Sequence, residues 1–134
     1  MIETVPLPLL RVTGLTHCYD EIVACRDISF ELYPREVLGV VGESGSGKTT
    51  LLNCCSALIE PTFGLIEYNT RMNGLADVFG LSEPDRRMLM RTDWGVVHQN
   101  PRDGLRMDVT AGGNVAERLI MTGARHYCRV RGEA

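Results

Sequence analysis

Gly42, Gly47, Lys48 and Thr49 occupy the fixed positions of the pattern G-x-x-x-x-G-K-[ST], with Glu43, Ser44, Gly45 and Ser46 filling the variable ones. Residues of these types at this spacing suit a polyphosphate. Glycines let the backbone wrap an anion closely, because side chains there would clash or forbid the positive φ angles that such a wrap requires. Backbone N–H groups from Gly45 through Thr50 are then expected to converge on phosphate oxygens, and a helix opening near Lys48 adds the positive end of its dipole. The Lys48 ammonium would bridge the β and γ phosphates, and the Thr49 hydroxyl is a hard oxygen ligand suited to Mg²⁺. Lys48 is also the sole lysine of the chain. A nucleoside triphosphate is therefore the expected ligand; a Gly/Ser-rich surface turn would leave both the lone lysine and the flanking pattern to chance. Because ATPases, GTPases and kinases share this loop, it does not specify the reaction.

The elements that must position the loop follow from hydrophobic pattern. Residues 37–41, Val-Leu-Gly-Val-Val, form a continuous apolar run that predicts a strand buried on both faces, entered from the turn Pro34-Arg35-Glu36. Residues 48–58 predict a helix with Leu51, Leu52, Cys55 and Leu58 on its buried side, stopped ahead of Pro61. Upstream, residues 9–13 and 27–33 read as strands, the second with Ile28, Phe30 and Leu32 facing in, and residues 16–26 as a loop or hairpin. Downstream, residues 63–68 read as a strand, and residues 69–80 carry no clear signal. Ser82 caps a helix with Pro84 in its first turn and Asp85 completing a box-like pattern, running to about Arg91. Residues 94–97 predict a strand, 99–105 a loop, and 114–122 a helix closed by Gly123. The chain is read as one α/β domain.

Composition narrows the partners. The 134 residues are 44% hydrophobic and 23% charged, a globular balance, and the net charge of −3 argues against a nucleic acid or an anionic membrane surface. Charge is unevenly spread: residues 1–67 carry 9 acids and 4 bases, residues 68–134 carry 8 acids and 10 arginines. A basic second half suits either a solvated helix surface or an acidic partner. Cys18, Cys25, Cys54, Cys55 and Cys128 make an odd set without C-x-x-C spacing, as expected of reduced cytosolic thiols, and Cys54 and Cys55 should pack as small apolar residues. No basic leader opens the chain and no apolar run approaches the roughly 18 residues of a membrane span, so work at a membrane would be peripheral. His17, His98 and His126 pair with no visible nucleophile or metal cluster and read as packed or solvated.

Tyr19, ahead of the buried run, and Gln99, ending the segment Trp94-Gly95-Val96-Val97-His98-Gln99, occupy positions that resemble the ATP-binding subunits of ABC systems. That resemblance implies an aromatic platform for adenine at Tyr19 and, at Gln99, a residue that contacts Mg²⁺ and the attacking water while sensing a partner subunit. Without it, Tyr19 is an ordinary half-buried tyrosine and Gln99 a loop amide. Within that family, residues 37–52 and 91–99, together with Asp103-Gly104-Leu105-Arg106, Ala111-Gly112-Gly113-Asn114 and Thr122-Gly123-Ala124-Arg125-His126-Tyr127, look like the ATP-binding proteins of the carbon-phosphorus lyase system, which breaks down phosphonates. The similarity runs from about Leu9 to Tyr127. It implies the N-terminal half of an ABC-type ATPase domain, with an antiparallel β subdomain, a partial parallel core sheet and helices. It also implies a cytoplasmic ATP- and Mg²⁺-binding subunit that docks on the lyase core complex and, at full length, on a second ATPase subunit.

The departures from that pattern carry their own expectations. Arg35 stands where the family usually places glycine, and residues 69–79 form a longer connection. The L-S-G-G-Q-like signature, the apolar strand ending in Asp-Glu and the switch histidine are absent; Ala111-Gly112-Gly113-Asn114 follows Gln99 too closely to serve as the signature. The chain is thus read as a single incomplete nucleotide-binding domain over residues 1–134, with its phosphate loop at 42–50. Loss of a general base alone typically costs ~10² to 10⁴ in rate, so hydrolysis by this chain is expected to be negligible. Three rival readings stand beside this one: the ATPase of a peptide or nickel importer, a small phosphotransferase using Arg86, Arg87 and Arg91, and a non-hydrolytic remnant that only binds a partner.

Overall fold

A computed structural model describes residues 7–70 and 74–121. The chain divides into two compact units, one ending at Arg86 and the other beginning at Arg87. The first unit is built on a four-stranded antiparallel sheet of order β2-β1-β3-β4, comprising β1 (Leu10–Tyr19), β2 (Ile22–Leu32), β3 (Phe63–Thr70) and β4 (Gly74–Asp77). The helices are α1 (Lys48–Cys55), α2 (Glu83–Thr92), which carries the junction, and α3 (Ala111–Met121); a 3₁₀ turn spans Pro101–Gly104. Among the described residues no helix is long and apolar enough to cross a membrane.

β1 and β2 form a hairpin around the two-residue turn Asp20-Glu21, with Tyr19 opposite Ile22 and Asp20 at φ 51°. A positive φ at the first turn residue matches the twist of the flanking strands, and aspartate tolerates it better than most side chains. The expected loop or hairpin at 16–26 is thus a hairpin, and both strands extend further toward the turn than their apolar patterns indicate. β1 is central: it pairs with β2 on one edge and with β3 on the other, where Val12 meets Ile66 and Leu10 meets Tyr68. Val12, Leu15, Ile66, Val78 and Cys54 are fully buried and make up the centre of the core. β4, in the stretch that carries no clear signal in the sequence, pairs with β3 through Glu67 with Asp77 and Tyr68 with Ala76.

Two expectations require correction. Residues 37–41 form no strand, and Val37 and Val41 are 97% and 93% exposed. Residues 94–97 likewise form no strand, and Val97 is exposed. The parallel part of the anticipated core sheet is therefore not formed among the described residues. The physical reason is pairing: a strand buried on both faces exists only with hydrogen-bonded neighbours and covering helices, and every strand described here belongs to the antiparallel sheet. The same shortage of cover alters α1. Leu51 and Cys54 are buried as the helix packs on β1 and β2, but Leu52 and Leu58 are exposed and Cys55 is half-buried, so the apolar side is narrower than the sequence suggests. The helix stops at Cys55, and Ala57 follows in the left-handed region at φ 56°.

The remaining helices form where local signals put them. The Ser82 hydroxyl accepts from the Asp85 backbone N–H at 3.3 Å and donates to the Asp85 carboxylate at 2.6 Å, which caps α2. α3 opens three residues earlier than its apolar periodicity indicates, because Thr110 accepts from the Gly113 N–H at its start. The closing Gly123 lies outside the described residues.

Candidate nucleotide site

The loop at 42–50 joins the irregular apolar run to α1, and its conformation depends on two glycines in the left-handed region, Gly45 at φ 80° and Gly47 at φ 85°. Gly47 is also the residue at which α1 begins, and Leu51 N donates to its carbonyl at 2.9 Å. A Cβ on Gly47 would sit 1.9 Å from the Ala24 carbonyl oxygen and 3.6 Å from Cys25 Cβ. The reason for this close approach lies in β2. His17 pairs with Cys25 and Cys18 with Val23, which leaves Ala24 as an extra residue in the ladder. Such a bulge bends the strand and releases a backbone group from regular pairing, and here the end of the loop rests on it.

Lys48 crosses back over the loop. Its Nζ donates to the carbonyl oxygen of Gly42 at 2.9 Å, to the carbonyl of Glu43, and to Ser46 Oγ at 3.3 Å, while Ser46 N closes a turn on Glu43 O at 3.2 Å. The ammonium is thereby fixed at the mouth of a ring of backbone, beside the first turn of α1. That turn contains no acidic residue, so nothing in it offsets the positive end of the helix dipole. Thr49 exposes its side chain, whereas Thr50 is buried. Gly42, Glu43, Ser44, Gly45 and Ser46 are all exposed. The arrangement presents a cation, a helix N-terminus and glycine backbone at one exposed surface, which is the chemistry of anion recognition. Burial pushes the Cys54 thiol of the same helix up to about 11 and the Cys55 thiol up to about 12, with neighbouring thiols adding to each. Neither is a nucleophile for the loop.

Tyr19 stands at the end of β1 and is 46% exposed as a residue. Its inner neighbour is His17, whose imidazole meets the tyrosine ring edge to face at a centroid distance of 4.7 Å and an interplanar angle of 78°. His17 is packed, one of the two readings that its sequence context left open, and among the described residues its Nδ1 is buried without a hydrogen-bond partner. The loop and the Tyr19 end of the sheet thus lie close together in the first unit, linked through the Ala24 bulge. Gln99 lies in the second unit, exposed in a bend ahead of the 3₁₀ turn that Asn100 caps through its acceptance from Arg102 N at 3.2 Å. Val96, Val97, His98, Asn100, Gly104 and Leu105 line a shallow, mostly apolar hollow of about 270 Å³ beside it.

Sequence reasoning missed two residues that organise these segments. Ala24 gives no sequence signal, because a bulge is a property of pairing register. Asn114 is read in the sequence as the start of a helix and as part of a glycine-containing segment, neither of which signals its side-chain bonds. Its Oδ1 accepts from Arg106 N at 2.8 Å and its Nδ2 donates to the Arg106, Val109 and Thr110 carbonyls, fastening residues 106–110 to α3. Among the described residues no group of three or more His, Cys, Asp or Glu side chains could hold a metal ion. A magnesium ion that keeps most of its coordination for water and phosphate oxygens needs no such cage, and the exposed Thr49 hydroxyl fits the single protein ligand it would require.

Known proteins resemble this chain in sequence and in fold. The chain is 56% identical over 127 residues to the phosphonates utilization ATP-binding protein PhnK of Escherichia coli (strain K12), a match that covers 95% of this chain and 48% of that protein. It is 35% identical over 108 residues to an ABC transporter ATP-binding protein of Halobacterium salinarum, covering 81% of this chain and 42% of the relative. The chain thus spans about half the length of the curated relatives it matches. The dimeric bacterial ABC transporter cassette MJ0796 superimposes with a TM-score of 0.80 at 26% identity, covering 92% of this chain and 53% of the cassette. Its post-hydrolysis form, bound to ADP and phosphate, superimposes with a TM-score of 0.79. The sequence pattern of the ABC transporter family matches residues 25–130, from the β2 bulge through α3 and beyond. The chain belongs to the ABC transporter family.

Proposed function

We propose that this chain is the nucleotide-binding portion of an ATP-binding subunit that serves phosphonate utilization, and that it holds the triphosphate of Mg-ATP in the loop at 42–50. The observation that carries the reading is the placement of Lys48. Its ammonium is held by the Gly42 and Glu43 carbonyls and the Ser46 hydroxyl beside an acid-free helix N-terminus, a fixed positive charge with no carboxylate near it in the loop hydrogen bonds. Gly42, Glu43, Ser44, Gly45, Ser46, Gly47, Thr49 and Thr50 supply the surrounding backbone and hydroxyls, and the half-exposed Tyr19 supplies a ring for the base. Thr49 is the protein ligand to Mg²⁺. The ion supplies charge neutralisation along the triphosphate when bound. Gln99 is assigned a role toward metal and partner on family resemblance alone.

Similarity to PhnK at 56% identity favours phosphonate breakdown over the import of peptides or nickel. The subunits of the carbon-phosphorus lyase core, in the cytoplasm, are the partners this reading implies, with a second ATPase subunit for a cassette of full length. Residues 1–134 then constitute part of one nucleotide-binding domain, without the signature, the acidic strand end or the switch histidine, and hydrolysis by these residues alone is negligible. The test is calorimetric titration of Mg-ATP into the chain and into its Lys48→Ala variant. Binding by the parent and loss of about tenfold or more in affinity for the variant, the scale of one charge-assisted contact, is the expected result. Equal affinities would remove the loop from the binding site. Copurification with a membrane permease rather than lyase subunits would reassign the system to transport.

A further inference from the structure

A buried ring packed edge to face against an exposed one constrains how the exposed ring lies. His17 is 8% exposed, and among the described residues its Nδ1 has no hydrogen-bond partner. The imidazole meets the Tyr19 ring edge to face at a centroid distance of 4.7 Å. Across the hairpin His17 pairs in register with Cys25, the residue next to the bulge on which Gly47 rests. Residue 17 thus neighbours both the tyrosine, along its own strand, and, across the ladder, the strand position that supports the phosphate loop.

We propose that His17 is a positioning residue for the base of the bound nucleotide, fixing the plane of the Tyr19 ring so that a purine stacks while its phosphates reach the loop. Tyr19 ends β1 at a two-residue turn, and its outer neighbour across the hairpin, Ile22, is exposed. Among the described residues the ring contact that Tyr19 makes is with His17. An edge-to-face pair fixes the angle of a ring as well as its place, and His17 is the group that does so here. The proposal rests on the reading of Tyr19 as the base platform.

The test separates base from phosphate. Dissociation constants for Mg-ATP and for Mg-tripolyphosphate, which has no base, are measured for the parent chain and for His17→Ala, His17→Phe, Tyr19→Ala and the double variant His17→Ala/Tyr19→Ala. His17→Ala is expected to weaken Mg-ATP by about two- to tenfold, the scale of an aromatic pair, and to leave tripolyphosphate unchanged. His17→Phe, which keeps a ring and serves where the alanine variant fails to fold, should restore ATP affinity to within about twofold. In the Tyr19→Ala background the histidine change should add nothing. Equal weakening of both ligands by His17→Ala would make the residue merely structural and overturn the proposal, as would additive losses in the double variant. A Tyr19→Ala chain with parental ATP affinity would instead refute the base platform, and the His17 role with it, while the phosphate loop stood.

Discussion

Arg35 occupies the third position of the turn that leads from β2 toward the phosphate loop, and its φ of 71° lies in the left-handed region where a side chain crowds its own backbone. Pro34 precedes it, and Glu36 N donates to Tyr33 O at 3.1 Å across the turn, the arrangement of a type II turn, which favours glycine at this position. The Glu36 carboxylate also accepts from Tyr33 N at 2.8 Å, so the turn is held from both ends despite the strain. Arg35→Gly should therefore stabilise the fold by about 1 kcal/mol, the relief of the left-handed penalty less the entropy that glycine adds to the unfolded chain; a urea midpoint that stays put or falls would show the arginine compensated elsewhere. Glu31 gives a second residue-level expectation. The Tyr33 hydroxyl donates to its carboxylate at 2.6 Å and Arg11 Nε at 2.7 Å, and these bonds, the tyrosine's first, hold its pKa below the ordinary glutamate value. A carboxylate lowered in the folded state stabilises above its unfolded pKa, and that contribution disappears as pH falls through the folded value. Acid unfolding of Glu31→Gln, which cannot lose a charge there, should show a shallower decline below the ordinary glutamate range than the parent. Identical slopes would mean that the cluster is too well screened by solvent to matter.

At the scale of elements, what could be read in the sequence was whatever depends on neighbours close in the chain. The α2 cap is the clearest case, because Ser82 and Asp85 sit three residues apart and need no distant partner to bond each other and the helix end. Ser82→Ala should cost about 1 kcal/mol, read as a loss of stability in chemical denaturation, and Ser82→Asp should recover most of it. The hairpin was half legible: alternation marked β2, but the length of both strands comes from their mutual pairing. β4 was invisible because Gly-Leu-Ala-Asp has no pattern of its own and becomes a strand only against β3. The run at 37–41 failed in the opposite direction, since its pattern is that of a buried strand and the burial depends on partners absent from the described sheet. For the site, the loop motif located the glycines and Lys48 because contiguous residues make it. The bulge at Ala24, on which Gly47 rests, and the His17 contact that orients Tyr19 depend on register between two strands, which no local spacing encodes.

For the molecule as a whole, the exposed run at 37–41 dominates behaviour in solution. Among the described residues no backbone hydrogen bond ties it to another segment, and Val37 and Val41 are almost fully exposed, with Leu38 and Val40 exposed as well. An apolar stretch with free N–H and C=O groups is a template for pairing with another chain. No lysine lies within it, and the nearest charges are Glu36 before and Glu43 after, so little in the run itself opposes association. The 134-residue chain should accordingly self-associate, with a sedimentation coefficient that rises with concentration. Val37→Thr/Val41→Thr keeps β-branched shape while adding hydroxyls to side chains that face solvent. It should lower that association while shifting stability by no more than about 0.5 kcal/mol for each substitution, the usual range for exposed positions. Because both residues lie before the loop and outside its hydrogen bonds, Mg-ATP affinity should be the same in parent and variant. A monomer at every concentration, or association indifferent to the two threonines, would move the sticky surface elsewhere, with exposed Val97 and its neighbours in the second unit next in line for the same substitution.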